Sequence, residues 1–158
     1  MFLTVHATAA VLITQKISNP LLAFIIGFVS HYILDALPHG DDKIFERWQG
    51  KKQLQVIAAV AGIDFALSFI WLNFLQQQGL ILFPLATAAA VIGSMLPDFL
   101  NGAFLLTNHP SLRWCQNLNR ASHRLILKKP WPTVQGFSSQ AVFFIILAII
   151  LLKLQATA

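Results

Sequence analysis

Three stretches of the chain, Leu54–Leu75, Leu80–Leu106 and Val134–Leu152, hold between them two ionisable side chains, Asp64 and Asp98. An apolar run of about 20 residues is what a helix needs to cross the hydrocarbon core of a bilayer. The whole sequence has that character: 56% of its residues are hydrophobic, 11% are charged, and its mean hydropathy is +0.67. Those values lie well outside the soluble average. The reading is an all-α integral membrane protein, a helical bundle with five membrane segments, at 158 residues a single domain.

Residues 1–36 read as a helical hairpin. Leu3 to Thr14 forms its first helix, Lys16 and Asn19-Pro20 supply the turn, and Leu21 to Ala36 forms the second. Both are too short to cross upright, which implies tilt or partial insertion. The N-terminus lacks the basic region and small-residue cleavage signal of a secretory leader, so the first helix is read as part of the mature fold. Residues 37–52 are a polar loop with Trp48 at the interface, and 53–106 form a second helical hairpin turning at Gln76–Gly79. Its second helix is expected to kink or end near Pro97. Residues 107–132 are a basic interfacial loop, part of it an amphipathic helix along the membrane surface. Residues 133–158 read as a plain lipid-facing anchor.

Of the 11 Lys and Arg, Lys43, Arg47, Lys51 and Lys52 fall in the second connection, and Arg113, Arg120, Arg124, Lys128 and Lys129 in the fourth. Basic loops favour the cytoplasm, which puts the N-terminus inside and the C-terminus outside, in a bacterial cytoplasmic membrane. Topology accounts for most of these charges. Membrane lipids, with anionic head groups held by the basic loops, are the expected partners, and no nucleic acid is.

Against this apolar background, Gly27-Phe-Val-Ser-His31-Tyr-Ile-Leu-Asp35-Ala-Leu-Pro-His39-Gly-Asp41-Asp42 stands out. His31 and Asp35 are four apart and share a helix face, a spacing that suits a metal clamp or a buried hydrogen-bonded pair. Pro38 ends the helix and leaves His39 as a third candidate ligand. Asp41 and Asp42 fit better as caps of a short helix at Ile44–Arg47. The topology gathers His6, His31, Asp35, His39, Asp98 and His123 in one leaflet, near the inner helix ends. Asp98, following Pro97, competes evenly between ligation and capping. Asp64 lies deeper, about 18 Å of helix from Lys52. A carboxylate there costs on the order of 3 kcal/mol unless paired, protonated or liganded. It is read, with His39, as a candidate for assisting catalysis, as a ligand from below or a carboxylate orienting a metal-bound His. His109 reads as a solvated loop residue.

A lone cysteine, Cys115, leaves no internal disulfide and no Cys-rich metal site. A donor set of imidazole and carboxylate suits one or two divalent ions, zinc first, with manganese or iron also fitting. Phosphate-loop, nucleophile-elbow and His-Glu-x-x-His motifs are missing from the sequence. Small residues Gly27, Ser30, Gly93 and Ser94 would let the second and fourth helices approach closely. Phe24-Ile-Ile-Gly27-Phe-Val-Ser30 faintly echoes Ala90-Val-Ile-Gly93-Ser94.

His6 on its short apolar helix, Ser30-His31-Tyr-Ile-Leu-Asp35-Ala-Leu-Pro38-His39, Gly93-Ser-Met-Leu-Pro-Asp98 and Arg120-Ala-Ser-His123 resemble the small bacterial membrane-bound metal-dependent hydrolases. They are more distantly similar to the zinc-dependent phospholipase C group. The resemblance spans the first four helices and the basic loop. It implies metal ligation by His6, His31, Asp35, Asp98 and His123, and a phosphoester substrate such as a phospholipid. It departs after Asp98, where Phe99-Leu100-Asn101 replace a second acidic residue and a His. The expected function is hydrolysis of a lipid or lipid-linked phosphoester at the cytoplasmic interface. The rivals are a proton or cation relay through Asp64, Asp98 and His31, and a structural subunit without catalysis.

Overall fold

A computed structural model of the chain describes residues 1–39, 49–126 and 133–156, and within them the regular elements are all helical. They are α1 (Leu3–Thr14), α2 (Pro20–Asp35), α3 (Gly50–Gln77), α4 (Pro84–Thr107), a 3-10 turn (Pro110–Leu112), α5 (Arg113–Leu125) and α6 (Thr133–Ala156). The expected caps at Asp41 and Asp42, and Trp48, Lys128, Lys129 and Trp131, lie outside the described residues. Helix ends follow local chemistry. Asn19 accepts from Leu22 N at 3.0 Å with Pro20 in the first turn of α2. Gly79, at φ +70°, closes α3, and Asn108, at φ 51°, closes α4; both are left-handed caps.

The protein is a helical membrane bundle. Three helices, α3, α4 and α6, are long and apolar enough to cross a membrane. At 12 and 16 residues, α1 and α2 extend about 18 and 24 Å, short of a hydrocarbon core of about 30 Å. The most extensive packing is between α2 and α4. The buried stripe of α2 is Ala23, Gly27, His31 and Asp35, four residues apart, while Leu21, Ile25, Val29 and Ile33 form its lipid-facing stripe. At Gly27 a Cβ would run into the carbonyl of Ala90, and at Gly93 into the carbonyl of Phe24. Glycine at both sites is what lets the two backbones meet, as the small-residue pattern predicts.

The short helix α1 lies at the centre, packed against α2, α3, α4 and α6. Its far end is tied by Thr14 to Thr87 at 2.8 Å and by Gln15 Nε2 donating to the Leu80 carbonyl at 2.7 Å. Trp71 Nε1 donates to Thr8 Oγ1 at 3.0 Å.

Two sequence expectations need correction. The helix does not end at Pro97: α4 continues to Thr107. Asp98 is therefore inside a helix, neither capping a new segment nor standing at a helix end. Nor is α6 a plain anchor. Gln140, 1% exposed, accepts from Phe2 N at 2.7 Å and donates to the His39 carbonyl at 2.8 Å, while Ser139 donates to the Pro38 carbonyl at 2.6 Å. The last helix thus fixes both the start of α1 and the loop that carries His39.

Candidate metal centre

The buried stripe that puts Gly27 against α4 also carries His31 and Asp35 inward, a consequence of their spacing by fours. Asp35 is 1% exposed and stands at the centre of a cluster. His6 Nε2 is 3.3 Å from its Oδ1; His31 Nε2 and His123 Nε2 are 3.3 and 3.4 Å from its Oδ2. The amino group of Met1 also reaches Oδ1, at 2.8 Å. Asp98 Oδ1 approaches His31 Nε2 at 3.9 Å. The ligand atoms of His6, His31 and Asp98 lie within 4.8 Å of one another, and so do those of Asp35, His39 and His123. All six residues that the sequence assigns to one leaflet are brought together.

The proton positions are constrained by the carbonyls behind the rings. His31 Nδ1 is 2.9 Å from the Ser94 carbonyl and His39 Nδ1 is 2.7 Å from the Leu37 carbonyl. A carbonyl only accepts, so each Nδ1 carries the hydrogen and donates it. In the neutral ring Nε2 is then a bare lone pair, and for His31 it faces carboxylate oxygens. Two electron-rich atoms in that arrangement repel unless a proton or a metal ion lies between them. A backbone carbonyl behind the ring is the usual way a protein orients a metal-binding imidazole.

The separations fit the same idea. Donor atoms about 2.1 Å from a tetrahedral zinc are about 3.4 Å from each other. Among the described residues, neither ring nitrogen of His6, nor His31 Nε2, nor Asp35 Oδ2 makes a hydrogen bond, although all are buried. Orphaned buried polar atoms are costly, and ligation is one way to satisfy them. His6 and His31 stack with ring centroids 4.5 Å apart, which holds both Nε2 atoms on the same side.

Pro97 contributes through the backbone. Having no N–H, it gives nothing to the carbonyl of Gly93, one turn back. The next carbonyl, of Ser94, is the one that receives His31, and the carbonyl of Pro97 itself accepts from Cys115 Sγ at 3.4 Å. That thiol docks α5 against α4 and brings His123 to Asp35. Burial pushes the Cys115 thiol above its ordinary value, so it is a packing group rather than a nucleophile.

Asp64 does not join the cluster among the described residues. Its carboxylate accepts from Leu3 N, from Thr4 N at 3.3 Å and from Thr4 Oγ1. It caps α1 from across the bundle, supplying acceptors for N–H groups that the first turn leaves unpaired. Read from the sequence as a ligand or catalytic group, this carboxylate braces the first turn of α1, ending two residues before His6. His39, read as a third candidate ligand and a candidate for assisting catalysis, lies in the group with Asp35 and His123. His109 is exposed, with Nδ1 2.7 Å from Ser111 Oγ. Gln140 is the residue that the sequence reading passed over. Its signal was there: an amide inside an apolar span needs a partner as much as a carboxylate does.

The expected depth also changes. Asp98 lies near the middle of a long helix, not at its inner end, while Asp64 lies well inside its helix, as its separation from Lys52 implied. The cluster reaches the surface through Asp98, 30% exposed, and His123, 20% exposed. Comparison with family models, with curated proteins and with solved structures finds no match to this chain.

Proposed function

We propose that the protein is a membrane-embedded, metal-dependent hydrolase of a lipid or lipid-linked phosphoester. The observation that carries this reading is Asp35, buried, with the Nε2 atoms of three histidines 3.3–3.4 Å from its carboxylate oxygens. One or two divalent ions fit the six donors; zinc suits them best, and manganese or iron would also be accepted. His6, His31 and Asp98 would hold one ion, and Asp35, His39 and His123 the other, with Asp35 between the two groups. A bound ion of this kind supplies Lewis acidity toward a phosphoryl oxygen and lowers the pKa of water.

The chain's own groups do the rest. Ser94 and Leu37 hold His31 and His39 in one tautomer through their carbonyls. Leu3, Ala7 and Met95 form an apolar cluster on α1 and α4, the helices that carry His6 and Asp98. A substrate would approach at Asp98 and His123, the exposed edge, where Arg120 and Arg124 are exposed on α5 and would pair with an anionic head group. By the basic-loop asymmetry this edge faces the cytoplasm, in a bacterial cytoplasmic membrane. The family resemblance of the His31–His39 and Asp98 segments points to the same chemistry.

The test is phosphate or head-group release from a panel of lipid phosphoesters in detergent, after chelation and again after metal is added back. Release that chelator stops, metal restores and Asp35→Asn lacks is the expected result. A metal-replete protein that releases nothing but moves protons or cations in liposomes would replace this reading with the relay.

A further inference from the structure

The helix α5 presents three faces. The inward one carries buried Cys115 and Ser122 and, beside them, His123. A second carries Trp114, Leu118 and Leu125, which are 47%, 46% and 73% exposed. Their spacing of four and seven places them in one stripe. A third carries Arg113, Arg120 and Arg124, all exposed and spaced by seven and four, next to the apolar stripe. The helix contains no acidic residue.

The inward face meets α2 and α4 mainly through polar groups. No α5 residue belongs to any of the three apolar core clusters. The described polar contacts of that face with the bundle include Cys115 Sγ to the Pro97 carbonyl at 3.4 Å and Tyr32 Oη to Cys115 Sγ at 4.0 Å. Meanwhile its apolar stripe is uncovered. The neighbouring surface, with Ile33 of α2 and Phe99 and Leu106 of α4 exposed, is itself lipid-facing. A helix with an apolar stripe beside a cationic one has the pattern that lies in the plane of a bilayer interface, rings and leucines among acyl chains and arginines among phosphates. The cationic stripe selects anionic over neutral lipid.

We infer that an anionic lipid surface holds α5 on the bundle, and that lipid charge thereby governs whether His123 joins the metal centre. This rests on reading the cluster as a metal centre. The helix is then a coupling element. When the interface grips both exposed stripes, the inward face is pressed to α4 and His123 meets Asp35; without that grip the centre keeps only the ligands from the rest of the chain.

The full-length protein in nanodiscs tests this, with discs of phosphatidylcholine alone compared with discs also containing phosphatidylglycerol. Two quantities are read: hydrogen exchange of the 113–125 amides, and zinc affinity by chelator competition. Anionic discs should slow exchange in α5 and tighten zinc, each by about tenfold or more. Replacing Arg113, Arg120 and Arg124 together by Gln should erase both differences. Trp114→Ser with Leu118→Ser and Leu125→Ser should speed α5 exchange in either disc. His123→Ala should erase the lipid dependence of zinc affinity while α5 exchange still responds to lipid. Equal α5 exchange in the two discs overturns the docking, and lipid-dependent exchange with equal zinc affinity overturns the coupling. If neither disc binds zinc while exchange still responds to lipid, the metal reading itself has failed and the coupling falls with it.

Discussion

Asp35 shows how one residue's chemistry depends on what is packed around it. In water it would be an ordinary carboxylate; here it is buried with three imidazoles and the Met1 amino group, which stand in for the water it has lost. Removing one member leaves the others buried without compensation. Asp35→Ala or His31→Ala should abolish bound metal, measured by elemental analysis of purified protein, and lower stability by roughly 3 kcal/mol or more. His109→Ala, on an exposed loop, should change neither. Metal content equal in all three variants and wild type would rule out the centre. The two residues that brace α1, Asp64 and Gln140, act at one remove. Asp64→Asn should cost about 1–3 kcal/mol, because the amide offers poorer acceptance to the Leu3 and Thr4 N–H groups. Gln140→Leu should weaken metal about 10–100-fold by releasing Phe2 and the His39 loop. Both should bind metal better than Asp35→Ala; chelator competition gives the ranking.

Among the elements, the contact between α2 and α4 sets everything else in place. Its two glycines meet backbone, not flexible side chains, so neither helix can give way locally. Gly27→Ala and Gly93→Ala should each cost about 1–3 kcal/mol by overpacking. Each should also weaken metal binding, since pushing α4 from α2 separates Ser94 from His31. Unfolding in detergent, followed with and without zinc, reads both effects. Full stability in both alanine variants would mean that the helices are not in backbone contact. The same contact explains why α4 tolerates Pro97 in mid-helix. The lost hydrogen bond falls beside a carbonyl that another helix uses.

For the whole molecule, the prediction concerns orientation. From the basic asymmetry, 37–52 and 108–132 should face the cytoplasm and the C-terminus the other side. In a Cys115→Ser background, a membrane-impermeant thiol reagent added to intact cells should label Thr157→Cys and spare Gln49→Cys. Labelling of Gln49→Cys from outside would invert the topology and put the centre's exposed edge in the opposite leaflet. The short helices α1 and α2 give the protein its uneven architecture. At one end α1 reaches the level of Leu80 and Thr87, and at the other α1 and α2 stop beside the middle of α3 and α4, where the histidines are.

By itself the sequence determined the solvent and picked out the side chains able to carry chemistry. Uninterrupted apolar runs require helices in lipid, because backbone groups there must be satisfied within the segment, and composition alone carries that. The spacing of Gly27, His31 and Asp35 by fours is helical arithmetic and was legible before any fold. Tertiary structure decided which ionisable groups meet and which stand apart. Asp64 and Asp98 look alike in sequence, each a lone carboxylate in an apolar span. One caps α1 and the other faces His31, because α1 sets its first N–H groups against α3 while α2 sets an imidazole against α4. Gln140 gained its role the same way, from a packing partner more than a hundred residues away. Periodicity reports the face a residue occupies within its own helix; only the packed bundle supplies what that face meets.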